Sequence, residues 1–220
     1  MAIILVEIGL DEKASASALA AGFPVTLVVS PYADGERGWY RSARWAGHET
    51  LLQLPVRPLG FPTDDAGPLS LEPDATPNSR LDVVLARGIG YLGVFVAAGQ
   101  FAARPAAFDP IAGALASRGL ALVEVGSGVL EPLARYQRLP YLNLSKAVDR
   151  EPSPEAIDAA LAALEVRARE DGFAAGYGRP FAITIERLVH WAAGLHSRGV
   201  SLVGVGELLD RAVEGKGSKP

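Results

Sequence analysis

The sequence predicts an α/β protein whose parallel strands close, or nearly close, into a barrel of seven or eight βα units. Three observations carry this prediction. Short apolar runs alternate with amphipathic stretches along all 220 residues, the rhythm of parallel strands joined by helical crossovers. No shift in composition marks a second domain, so residues 1–213 read as one domain and 214–220 as a polar tail. The phosphate fingerprints of an open dinucleotide sheet are missing. Gly88-Ile89-Gly90-Tyr91-Leu92-Gly93 has the G-x-G-x-x-G letters but follows a helix and enters a strand, the reverse of the required order. No Walker loop is present.

The elements follow in order. Residues 2–6 form a strand and 11–21 a helix; 25–29 form a strand and 35–46 a helix with Trp39, Ala43 and Ala46 on one face. A strand over 49–54 leads into residues 55–77, where six prolines exclude regular structure. A loop of that length in a compact domain points to function. The second half continues with helix 78–87, strand 92–96, helix 108–118, strand 120–123, a short helix over 130–136 and strand 141–144. Ser153-Pro154-Glu155 opens the next helix with a hydroxyl cap, a proline at the first position and an acid on the dipole. Ile157, Leu161 and Leu164 give that helix its apolar face. A strand over 173–176, a helix through Ile185, Leu188 and Leu195, a last strand over 200–203 and a helix over 207–212 complete the chain.

Composition limits the chemistry. The net charge of −4 argues against nucleic acid as a partner, because phosphate binding needs a basic surface. No run approaches the roughly 20 apolar residues of a membrane span, and the apolar start at residues 2–6 is too short for a signal-peptide core. With no cysteine, the chain has no disulfide, thiolate metal site or cysteine nucleophile. The three histidines are the sharper limit. His48 follows Gly47 at a helix-to-strand turn and reads as a structural donor. His190 and His196, on one predicted helix, point about 120° apart and cannot chelate one ion. Ser127 in Gly126-Ser127-Gly128 lacks a nucleophile-elbow context.

Catalytic groups of parallel barrels sit at the C-terminal ends of strands. Those positions here hold Glu7, Tyr32, Gln53, Arg57, Ala97, Glu124, Asp149 and Tyr177. Glu7 and Glu124 are either a carboxylate pair for acid–base chemistry or counter-ions for Arg57 and Arg179.

Longer stretches resemble a known family. Pro24-Val25-Thr26-Leu27 with Ser30-Pro31-Tyr32-Ala33, then the run Ala46-Gly47-His48-Glu49 through Leu54-Pro55-Val56-Arg57-Pro58-Leu59-Gly60, is similar to the PVTL…PYA and AGHE…LPMEPLG segments of the divergent polysaccharide deacetylases. Ile8-Gly9-Leu10 and Gly178-Arg179-Pro180 resemble that family's first and last motifs, and the likeness runs from about residue 3 to 208. It implies the irregular (β/α) barrel of the NodB-homology type, a glycan or peptidoglycan substrate, and a periplasmic or envelope location, although no leader stands in this chain.

The departures carry as much information. The family's aspartate base and first metal ligand correspond to Val6 and Glu7, and the histidine and glutamate ligands to Gln53 and Arg57. Its strand-four histidine corresponds to Ala97, its strand-five aspartate to Glu124 and its late histidine to Tyr177. Valine accepts no proton, an amide is a poor ligand for a divalent ion, and a guanidinium repels one. The resemblance therefore implies a member without metal, cofactor or deacetylase activity, with Arg57 standing in for the ion between Glu7 and Glu124. Its former cleft, with Glu7, Tyr32, Gln53, Arg57, Glu124, Tyr177 and Arg179 as candidates, then takes a glycan, a peptidoglycan fragment or an envelope protein. Tyr32, Trp39, Tyr40, Trp45, Phe61, Phe95, Phe101 and Tyr177 offer aromatic surface for sugar stacking. Two alternatives stand beside this: a metal-independent hydrolase using Glu7 and Glu124, and an envelope scaffold or homodimer.

Overall fold

In the computed structural model, residues 1–33, 35–62, 67–74 and 77–214 are described; of the predicted tail over 214–220, Glu214 belongs to the last helix and residues 215–220 lie outside the described ones. Seven strands form one parallel sheet: β1 (Ala2–Ile8), β2 (Thr26–Val29), β3 (Glu49–Gln53), β4 (Gly93–Ala97), β5 (Ala121–Val125), β6 (Tyr141–Leu144) and β7 (Ala175–Gly178). Their order is β6-β5-β4-β3-β2-β1-β7. Beyond β6 the chain bridges to β7: Tyr177 N–H donates to Lys146 O at 3.2 Å and Val148 N–H to Tyr177 O at 2.8 Å. This pair of bonds curls the sheet into a nearly closed barrel. The helices are α1 (Glu12–Leu19), α2 (Glu36–Trp45), α3 (Pro77–Leu85), α4 (Asp109–Ser117), α5 (Glu131–Tyr136), α6 (Pro154–Asp171), α7 (Ala182–Ala193) and α8 (Val205–Glu214).

Strand alternation divides the core in two. Ile3, Leu5, Leu27, Val29, Leu52, Val94 and Leu122 pack outward under the helices. Ala2, Ile4, Val6, Val28, Leu51, Phe95, Val123 and Leu144 fill the barrel. Ser153 caps its helix as predicted, accepting from Ala156 N–H at 3.3 Å ahead of Pro154, and Asp11, read from sequence as the first helical residue, is the cap of α1, accepting from Ala14 N–H at 2.7 Å.

The predicted strand over 200–203 does not form. That run crosses the lower end of the barrel, tied to β1 by Val203 N–H on Met1 O at 2.8 Å. The last helix is longer than expected, and its Val205, Leu208 and Leu209 plug the barrel floor. Glu49, pointing inward from β3, fixes the plug. Its Oε2 accepts from Thr26 Oγ1 at 3.2 Å and from Gly206 N–H at 3.0 Å, while Thr26 Oγ1 accepts from Val205 N–H at 3.1 Å. Glycine lets this carboxylate approach: a Cβ on Gly204 would lie 2.2 Å from Glu49 Cδ and would displace it. His48 has the structural role expected, with Nε2 3.0 Å from Leu19 O. His190 and His196 are both exposed, but α7 ends at Ala193 and His196 sits in a following 3-10 turn. Among the described residues, no helix is long and apolar enough to cross a membrane.

Candidate functional site at the barrel mouth

The mouth is built where the C-terminal strand ends open. In β1 the register against β2 slips between Leu5 and Ile8, and Glu7 takes a left-handed backbone with φ 65°. A bulge of this kind re-aims a side chain at a local cost of about 1–2 kcal/mol. It leaves Val6 facing the barrel and moves Glu7 to the rim, half-exposed, where Arg179 Nε lies 3.6 Å from its Oε1. The counter-ion reading therefore holds for Glu7 with Arg179. Arg179 also lies 5.5 Å from the centre of the Phe181 ring, an exposed neighbour with no place in the sequence reading.

Glu124 is not at the mouth. Val123 and Val125 on either side of it face the interior, so alternation turns Glu124 outward beneath the helices, fully buried. Its Oε2 accepts from Tyr141 Oη at 2.7 Å and from Leu130 N–H at 3.0 Å, just ahead of α5. Burial first, then the bond to Glu124, hold the Tyr141 phenol above its ordinary pKa. Glu124 is thus a structural acceptor, and the alternative of a Glu7–Glu124 carboxylate pair at the mouth is not realised.

Arg57 is the second correction. Its Nε and Nη2 donate to Glu72 at 3.1 and 3.0 Å, and Nη1 donates to Phe61 O. Ser70 Oγ adds a bond to the same carboxylate at 2.9 Å. The pair is largely buried, with 14% and 15% of the side chains exposed. Among the described residues, Arg57 has no ion pair within 4.0 Å to Glu7 or Glu124. The guanidinium does not replace an ion at the mouth; it pins the proline-rich loop, helped by Leu71 N–H on Pro55 O at 2.7 Å and Gln100 N–H on Arg57 O at 3.0 Å. Nothing in the sequence singles out Glu72, because its partner lies fifteen residues upstream, across prolines that hide any periodicity.

What this loop walls off is a cleft of about 290 Å³ lined by Tyr32, Gln53, Arg57, Phe61, Phe95 and Ala97. Gln53 is its main polar feature: Oε1 is buried and, among the described residues, has no hydrogen-bond partner. Phe95 lies beside it in register, and Tyr177 packs edge-on against Phe95 with centroids 6.3 Å apart. Burial, then the charge of Asp149, keep the Tyr177 phenol above its ordinary pKa, so it stays a neutral hydroxyl. Asp149 itself is engaged by Arg179 N–H at 2.6 Å. Tyr32 and Phe61 stand exposed on the wall at 43% and 56%. The other proposed aromatics are elsewhere: Tyr40 and Phe101 are buried under the helices, Trp39 is partly buried there, and Trp45 is 87% exposed at the far end of α2.

The family's metal positions supply one carboxylate at the rim, one amide and one guanidinium already paired with Glu72. Among the described residues, no three His, Asp or Glu side chains gather as a metal would require. This donor set does not fit a catalytic divalent cation.

Comparison with known proteins places this geometry. Residues 3–209 match the family model for divergent polysaccharide deacetylases. Among solved structures, an uncharacterised protein from Agrobacterium tumefaciens C58 is 30% identical with TM-score 0.87, over 94% of this chain and 87% of that one. A putative cellobiose-phosphate cleavage protein from Enterococcus faecalis V583 shares the fold at 14% identity and TM-score 0.61, over 94% and 97% of the two chains. So does a CE4 family pseudoenzyme from Bacillus anthracis, at 10% identity and TM-score 0.51, over 94% of this chain and 64% of that one. No curated protein matches the chain. From the nearly closed parallel barrel and the family match together, the chain belongs to the divergent polysaccharide deacetylase family.

Proposed function

We propose that this chain is a non-catalytic member of its family that binds an uncharged glycan unit, such as a segment of peptidoglycan backbone, in the barrel mouth. The free acceptor Gln53 Oε1 carries the reading. A buried, unpartnered amide oxygen is costly and is best explained by a donor that arrives with a ligand. Phe95, Tyr32 and Phe61 surround it with apolar and aromatic surface suited to a sugar ring, and the Tyr177 ring packs edge-on against Phe95. Arg57 brings no free charge to this wall, because Glu72 neutralises it. A hydrolase using Glu7 and Glu124 lacks its second carboxylate at the mouth.

A second reading, a protein partner from the cell envelope, draws on the apolar rim of Leu10, Leu59, Phe61 and Phe181, all exposed. Protein purified without chelator, assayed for bound metal and for acetate release from N-acetylated chitotetraose, tests the non-catalytic assignment. We expect neither stoichiometric zinc, iron, cobalt or manganese nor acetate above the blank. Stoichiometric metal with acetate release would return the chain to the deacetylases.

A further inference from the structure

We propose that the groove between the start of α1 and the start of α7 is a second binding site, separate from the mouth cleft, that takes a zwitterionic α-amino acid with an apolar side chain. The groove has a volume of about 330 Å³, within the range of roughly 300–1,000 Å³ for small-molecule sites. Glu7, Leu10, Asp11, Lys13, Arg179 and Phe181 line it, and it shares no lining residue with the cleft around Gln53.

Its four charges decide what it holds. Two acids and two bases leave no net charge, so the groove selects neither a simple anion nor a simple cation. Groups of both signs are nevertheless unengaged. Arg179 Nε stands 3.6 Å from Glu7 Oε1, beyond hydrogen-bonding distance, and 53% and 46% of the two side chains are exposed. Among the described residues, no hydrogen bond reaches the Glu7 carboxylate, the Arg179 guanidinium or the Lys13 ammonium. Arg179 is positioned by other means: its backbone N–H donates to Asp149 Oδ2 at 2.6 Å, and its guanidinium sits 5.5 Å from the centre of the Phe181 ring. Asp11 gives one carboxylate oxygen to the cap of α1. Glu7 takes a strained left-handed backbone to reach this position, and the fold gets only an exposed pair in return. Strain of this kind clusters at ligand sites.

The short spacing of the opposite charges identifies the ligand. An α-amino acid carries its carboxylate and ammonium on one carbon, so both groups can face the adjacent Arg179 and Glu7 at once, head to tail. A longer zwitterion would spread its charges past them. Leu10 and Phe181, 57% and 41% exposed, supply apolar surface for the side chain. Charged groups this accessible to solvent give modest affinity, a dissociation constant of about 1 mM.

The test titrates L-leucine into the whole wild-type chain and follows backbone amide shifts at Leu10, Ala14 and Ala182. Leucine should saturate these shifts. Leucinamide lacks the carboxylate, N-acetyl-leucine lacks the ammonium and 6-aminohexanoate separates the two, so each should bind about tenfold more weakly. Arg179→Gln should weaken leucine about tenfold and remove its advantage over leucinamide, and Glu7→Gln should remove its advantage over N-acetyl-leucine. Both side chains are half-exposed, so both variants should fold. N-acetylated chitotetraose should leave the leucine titration unchanged, because the two cavities are separate. Absence of shifts up to about 20 mM leucine, equal binding of leucine and leucinamide by the wild type, or displacement of leucine by chitotetraose overturns the proposal. Tighter binding of N-acetyl-leucine than of leucine overturns it as well and assigns the groove to a simple carboxylate.

Discussion

The two ends of this barrel are built from the same strands and treat polar groups in opposite ways. At the floor, Glu49, Thr26 and the backbone of α8 satisfy one another, and glycine at 204 and 206 lets them close. At the mouth, Gln53 keeps a buried oxygen without a partner, Glu7 sits on a strained backbone, and aromatic rings stand exposed. Folding alone gains nothing from the second arrangement. Buried atoms without a partner also occur in structural positions, at Glu124 Oε1 and His48 Nδ1; what distinguishes Gln53 is that its oxygen lines an open cleft beside exposed aromatic rings.

That contrast can be broken by substitution. The largest effect belongs to the floor: Leu208→Asp places a carboxylate in a site with 1% exposure and should cost about 4 kcal/mol in urea unfolding. Arg57→Ala leaves Glu72 without its cation in the mouth wall and should cost about 2–3 kcal/mol, with faster amide exchange over residues 56–61. Glu49→Ala orphans the donors of Thr26 and Gly206 and should cost about 2 kcal/mol. Gln53→Leu should behave oppositely, leaving stability unchanged or raising it by about 0.5–1 kcal/mol, because it removes an unsatisfied buried amide. A comparable loss there would mean that Gln53 is structural and the contrast false. Glu7→Gly, which relieves the left-handed strain and gives up only an exposed pair, should stabilise by about 0.5–1 kcal/mol.

Most of the architecture was legible because the strand runs are short and apolar and the helix starts have capping chemistry, as at Ser153. The run over 200–203 deceived because local hydrophobicity cannot say whether a sheet edge is available; α8 and Glu49 occupied that end instead. Glu124 sits where a strand-end carboxylate belongs in sequence, yet one residue of parity separates the mouth from the helix layer. Its partner Tyr141 is contributed by the neighbouring strand, which only pairing reveals. Arg57 stands out in the motif it interrupts, but Glu72 and the loop it closes depend on a long-range contact. The vacated metal positions were readable because motif spacing is local. What replaced them was tertiary.

The most direct measurement is a calorimetric titration of N-acetylated chitotetraose into the wild-type chain and into Gln53→Leu, each with and without a chelator. The account predicts binding to the wild type that the chelator leaves unchanged, and affinity about tenfold weaker in Gln53→Leu, the equivalent of one hydrogen bond of about 1.4 kcal/mol. Binding that disappears with the chelator, or equal affinity in both chains, would contradict it.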